Sequence, residues 1–109
     1  MARAKMIVMA KATEGQAEAL DEWYETRHVP DLLAVPGVRS IERFDVQMMK
    51  APDGFPGWDY VGIYEIEADD INAVLKEMGA RMGTERMPHS PTLDSSKTLA
   101  VIAHEKRRD

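Results

Sequence analysis

The amino-acid sequence predicts an α+β fold in the order β-α-β-β-α-β, with a four-stranded antiparallel sheet and two helices packed on one of its faces. Three observations carry this reading. Four short stretches, at residues 4–11, 38–49, 60–66 and 98–104, are β-branched or alternate apolar with polar side chains. Between the first and second, and again between the third and fourth, apolar residues recur at helical spacing. Proline- and glycine-containing turns separate the segments.

The first strand, around Met6-Ile7-Val8-Met9, is broken by Glu14-Gly15. Thr13 with Gln16 three residues on suggests a capping box, and Ala17, Leu20, Tyr24 and His28 follow at helical spacing. This first helix is expected to end near His28, because Pro30 disfavours helical geometry at Val29. Residues 30–34 then form a short second piece, with Pro30 in its first turn, and Pro36-Gly37 stops it.

Residues 38–49 alternate as a long second strand whose two faces are each partly polar. Residues 51–57 hold two prolines and two glycines and read as a loop, so the third strand, residues 60–66, forms a hairpin with the second. Asp69 or Asp70 caps the next helix, where Ile71, Val74, Leu75, Met78 and Met82 make one apolar stripe and Gly83 is the stop. Residues 84–96 carry Pro88, His89 and Pro91 without a period, a loop long enough to serve as a lid or a pocket wall. The last strand follows at residues 98–104.

At 109 residues the chain reads as one domain, residues 1–109, with no internal repeat or linker. The first and last strands of the chain are apolar on two sides, whereas the helices cover one face of the sheet. A second copy is the simplest cover for the other, which predicts a homodimer. The 14 Lys plus Arg against 19 Asp plus Glu leave a formal charge of -5, which argues against nucleic-acid and anionic-membrane partners. The basic run Lys106-Arg107-Arg108 reads as a solvated tail. The absence of cysteine removes disulfides, thiol catalysis and thiolate metal sites. No segment has the length of a membrane span or the apolar core of a signal peptide, so a cytoplasmic protein is expected.

His28 is the group best suited to proton transfer near neutral pH, with an unperturbed pKa of about 6.5. Tyr24 lies one helical turn before it, and Asp31 can reach back across the Pro30 break to hold one imidazole nitrogen. The competing reading is a partly exposed histidine at a helix C-terminus. Tyr60 and Tyr64 share a face of the third strand with Gly62 between them, where the missing side chain leaves room for a ligand; aromatic core packing is the simpler reading. Arg27 and Arg43 are candidates to hold a substrate carboxylate or phenolate, or to pair with a nearby Glu. Trp23 and His89 complete the candidate binding residues.

The eight methionines suit an adaptable apolar pocket or ordinary core filling. His28, His89 and His104 are too scattered for a metal site, and phosphate-loop, dinucleotide and nucleophile-elbow motifs are all missing. General acid-base work without cofactor or metal remains.

The order of elements, with Trp23-Tyr24, His28-Val29-Pro30 and Val35-Pro36-Gly37-Val38, resembles the dimeric α/β-barrel superfamily of ferredoxin-like proteins, and most of all its EthD-type branch. The resemblance implies a pocket in each monomer between helices and sheet. It also implies a superfamily of cofactor-free isomerases, cyclases, dehydratases and monooxygenases alongside proteins of unknown role. The second helix, residues 71–82, lacks the aromatic residue and histidine that antibiotic-biosynthesis-type monooxygenases of this superfamily carry there, which lowers a quinone-forming oxygenase. The leading expectation is therefore a small cofactor-independent isomerase, cyclase or lyase acting on an apolar, aromatic or polyketide-like molecule. In it His28, Tyr24 and Asp31 are catalytic, and Tyr60, Tyr64, Arg27, Trp23 and His89 bind substrate. A non-catalytic ligand-binding or accessory protein and a cofactor-free monooxygenase are the alternatives.

Overall fold

The computed structural model describes residues 1–106, so Arg107 and Arg108 of the basic run lie outside the described residues. Four strands form one antiparallel sheet in the order β2-β3-β1-β4: β1 Ala2–Ala10, β2 Val38–Asp45, β3 Tyr60–Ala68 and β4 Leu99–His104. The helical segments are α1 Ala17–Trp23, a π-helical turn Tyr24–His28, α2 Val29–Leu33 and α3 Ile71–Arg81. This is the expected α+β ferredoxin-like arrangement.

Strand alternation sorts the sheet into two faces. In register, Val8 pairs with both Gly62 and Ala100, and Met6 with Tyr64 and Ile102. That face meets the helices: Ala4, Val8, Tyr64 and Ile66 are buried against Leu32, Val35, Val74, Met78 and Met87. The opposite face carries Ile7, Met9, Val61 and Ile63, with Phe44, Leu99 and Val101 each 47% exposed. Arg3–Glu67 and Lys5–Glu65 ion pairs lie at one end of that apolar stretch.

The first strand begins at Ala2 and the third runs on to Ala68, each two residues beyond the expectation, and three further boundaries differ. Thr13 makes no capping box: its hydroxyl donates to the Pro91 carbonyl, and the helix starts at Ala17 after Gln16, which makes no side-chain cap. The second strand stops at Asp45 instead of Met49, because β3 begins at Tyr60 and offers no partner beyond it. The first helix does not end at His28. Trp23, Tyr24, His28 and Val29 all keep right-handed helical torsions, and the Val29 N–H reaches the Tyr24 carbonyl five residues back. A π turn shifts the hydrogen-bond ladder by one residue, which lets the chain pass through Pro30, a residue with no N–H to give.

The same turn solves a phase problem. Leu20, Tyr24, His28 and Leu32 are all buried, at intervals of four residues. A step of four overshoots a turn of about 3.6 residues by about 40°, so three steps would carry the stripe roughly 120° around a regular α-helix. The wider π turn cancels much of that drift and keeps all four side chains on the core side.

Asp70 caps α3 by accepting from the Asn72 and Ala73 N–H groups, and Ile71, Val74 and Met78 form its buried stripe. Between α2 and β2, Gly37 adopts φ +100, and a Cβ there would stand 2.6 Å from Val74 Cγ2. Gly79 lies within α3 with nothing inside 4 Å of such a Cβ. Gly37→Ala is therefore expected to cost about 2 kcal/mol through strain and overlap, whereas Gly79→Ala should add about 1 kcal/mol. Urea unfolding of the two variants checks both signs.

Candidate active site

The π turn brings three aromatic rings together. The His28 imidazole stacks on Trp23, with centroids 4.5 Å apart and planes 18° apart, and meets the edge of Tyr24 at 5.3 Å. His28 is 7% exposed, the one buried polar residue of the described chain, and its Nδ1 is sealed with no hydrogen-bond partner. Burial pushes the imidazole down to about 4; Asp31 opposes this by its charge and His89 adds to it. The ring is thus neutral at physiological pH.

Beyond Tyr24 lies a layer of phenols and one arginine. Tyr64 folds its ring over Gly62, where an added Cβ would lie 2.7 Å from the ring. The space left by the glycine is taken by this side chain, the aromatic packing that was the simpler reading of the sequence, and not by a ligand. Burial raises the Tyr24 phenol, with the Arg43 charge and the Tyr64 hydroxyl offsetting part of it. Burial likewise raises Tyr64, and Tyr24 adds to that. Arg43 sits over the Tyr24 ring at 4.6 Å and the Tyr60 ring at 5.1 Å. Its Nη1 donates to Asp21 at 2.8 Å and to Glu25 at 2.7 Å. Burial would lower the guanidinium's pKa, but these hydrogen bonds outweigh it.

His28, Tyr24, Trp23, Tyr64 and His89 all line one cavity of about 410 Å³ between the helices and the sheet. Met6, Val8 and Ala100 form its sheet floor, Leu32, Met78 and Met82 its helical sides. The segment after α3 supplies the remaining wall through Ser90, Leu93, Ser95 and Thr98. That segment is fastened at several points: Met87 is fully buried, Thr13 N–H donates to the Thr92 carbonyl, and Asp94 N–H to the Lys11 carbonyl. It is a wall, and its tie to the end of β1 argues against a lid.

Three of the candidate residues stand elsewhere. Arg27 Nε donates to Asp31 at 2.7 Å and its Nη2 to the Glu85 carbonyl, so the Asp31 carboxylate is engaged by Arg27 and His28 Nδ1 has no carboxylate. Tyr60 donates to the Ala17 carbonyl at 2.8 Å and belongs to a separate cleft with Asp21, Glu25 and Asp45. The unusual length of the aperiodic segment 84–96 pointed to a pocket wall without naming Ser90, Leu93 or Ser95, and Thr98, read as the start of the last strand, had no such signal. Met78 and Met82 line the cavity, while Met87 is an anchor and Met48 and Met49 lie exposed. Among the described residues no group of three or more His, Asp or Glu is placed to hold a metal.

A ferredoxin-like α+β sheet with an aromatic, histidine-bearing cavity under its helices is the class of structure these residues define. The chain is similar to an EthD family protein of Bacillus halodurans C-125, at 19% identity over 97% of this chain and 100% of that one, with a TM-score of 0.58. It is also similar to a candidate monooxygenase of Shewanella loihica PV-4, at 14% identity over 100% and 98% of the two chains and a TM-score of 0.56. A dimeric ferredoxin-like protein of unknown function from Thermobifida fusca YX matches at 11% identity over 95% and 92%, with a TM-score of 0.50. No family model and no curated protein matches the chain. At these identities the likeness carries the fold, in agreement with the resemblance read from Trp23 to Val38. No helix among the described residues is long and apolar enough to cross a membrane.

The pKa of His28 sets a stability test. Between about 4 and 6.5 the unfolded chain binds a proton at this position that the folded chain does not. Its contribution is therefore complete above pH 6.5 and is lost as pH falls towards 4, by up to about 3 kcal/mol. His28→Gln should flatten that part of the curve, as measured by denaturant unfolding of both proteins at pH 7 and pH 4.5.

Proposed function

We propose that this chain is a small enzyme that moves a proton on an apolar molecule bound under its helices, an isomerase, cyclase or lyase needing no cofactor, and that it works as a homodimer. The observation that carries the reading is the neutral His28 ring in the wall of a cavity shared with two protonated phenols. Because Nδ1 is sealed, a ligand meets the ring through Nε2. An unprotonated Nε2 removes a proton from a carbon beside the ligand's carbonyl, and the C–H electron pair moves onto the carbonyl oxygen. Tyr24, whose oxygen already accepts from Tyr64, donates a hydrogen bond to that oxygen, and the imidazolium returns the proton to another atom of the ligand. Asp31, held by Arg27, favours the imidazolium by its charge without touching it. A purely ligand-binding role would not require an ionisable ring at this place.

The likeness to the candidate monooxygenase supports a second reading, in which the same base forms a ligand carbanion that reacts with oxygen. Oxygen uptake by the protein with its ligand separates the two.

Homodimerisation is supported by the apolar sheet face around Ile7, Ile63 and Val101 and by the likeness to a dimeric protein. Sedimentation at micromolar concentration should give twice the chain mass, and Val101→Glu should give a folded monomer. A monomeric wild type contradicts the dimer.

For the chemistry, deuterium uptake from D2O into a panel of aromatic ketones and lactones reads proton removal without knowledge of the product. His28→Gln should slow exchange by about 100-fold with folding intact. Undiminished exchange in a well-folded variant would eliminate His28 and leave His89 as the next base.

A further inference from the structure

We infer that the molecule this cavity takes carries no formal charge: a ring-sized apolar body ending in a carbonyl or hydroxyl oxygen, and neither a carboxylate, a phosphate nor an ammonium. The inference rests on reading the cavity as the functional site, and it narrows the substrate class.

Charged residues make up 30% of the chain, yet none of the side chains lining this cavity is Asp, Glu, Lys or Arg. The cations nearby are all engaged elsewhere. Arg27 is held by Asp31 and the Glu85 carbonyl. Arg43 lies on the Tyr24 ring with Asp21 and Glu25 on its Nη1. Arg81 is bound by Glu77 and the Ala34 carbonyl. By contrast, the cleft at one end of the sheet is lined by Arg3, Lys5, Arg39, Glu65, Glu67 and Glu105, so the fold does line another cleft with charge. An ion entering the helical cavity would lose its hydration and find no counter-charge.

The polar groups left free in the wall include no carboxylate, ammonium or guanidinium. Thr98 Oγ1 already donates to the Asp94 carbonyl and accepts from Lys11 N–H. Ser90 Oγ is bonded to Thr92. The Tyr64 hydroxyl is engaged with Tyr24. That leaves His28, the Tyr24 phenol, His89 and Ser95, set among Met6, Val8, Leu32, Met78 and Leu93. Neutral donors and acceptors in apolar surroundings match a carbonyl or hydroxyl oxygen on a hydrocarbon frame.

Three probes of one size test this: 2-acetylnaphthalene, 2-naphthoate and 2-naphthylmethylamine, titrated calorimetrically into the wild-type protein at pH 7.5. The ketone is expected to bind at least about 100-fold more tightly than either ion, from the cost of an unpaired buried charge. Ala100→Trp, which fills the floor, should abolish ketone binding. Met82→Lys, at a partly exposed position of the wall, should raise naphthoate affinity about tenfold by supplying the missing counter-charge. Either ion binding within threefold of the ketone would overturn the inference. So would ketone binding that survives Ala100→Trp with the fold intact, or no binding of the ketone at millimolar concentration. Catalysis plays no part in these readouts. Charge discrimination without deuterium exchange sinks the proton-transfer reading alone, and exchange without discrimination sinks this inference alone.

Discussion

The site depends on the π turn at Tyr24–His28. A regular α-helix would carry a four-residue stripe away from the sheet, and a break at Pro30 would leave His28 at a frayed end in water. The π turn does neither: it passes the missing N–H of Pro30 and keeps Leu20, Tyr24, His28 and Leu32 directed at the core. Burial of His28 follows, and its neutrality follows from burial. Such one-turn widenings recur at functional sites in proteins, where a helix must present a group that regular geometry would misplace.

The layers around that turn divide labour by polarity. On the far side of Tyr24 the charges are concentrated and paired, with Arg43 Nη1 between Asp21 and Glu25, its guanidinium over two phenol rings and its buried Nη2 without a hydrogen-bond partner. On the near side the cavity wall is neutral and largely apolar. Tyr24 is the partition between them, since its ring takes the guanidinium on its face and meets His28 in a T-shaped contact. The proximity of Arg43 tempers the rise that burial imposes on both phenols without bringing a full charge into the cavity.

Much of the fold was legible because it rests on local signals. The alternation of Tyr60 to Ile66, the Asp70 cap and the Val74–Met78 stripe each report backbone hydrogen bonding or burial within one element. Trp23, Tyr24, His28, Tyr64 and His89 could likewise be named in advance as residues with chemistry to offer, and all five line one cavity. The partners of those groups were not legible. Asp31 is closer to His28 in sequence, yet its carboxylate pairs with Arg27, one helical turn away. Tyr60 shares a strand face with Tyr64, yet four residues of displacement place it across Gly62, against Arg43 and Ala17. The four-residue interval of Leu20, Tyr24, His28 and Leu32 was visible, but it reads as an ordinary helical stripe unless the accumulated phase is followed past Pro30. The wall from Ser90 to Thr98 is set by long-range bonds to residues 11–13, which have no sequence signature.

Everything proposed for the cavity requires His28 to be buried and unprotonated at neutral pH. Nitrogen-15 NMR of the three imidazoles across pH 8 to 4 observes this directly. His28 should keep the shifts of a single neutral tautomer down to pH 5 and begin to titrate only towards 4. A His28 that titrates near 6.5, as a ring in water does, would contradict the account.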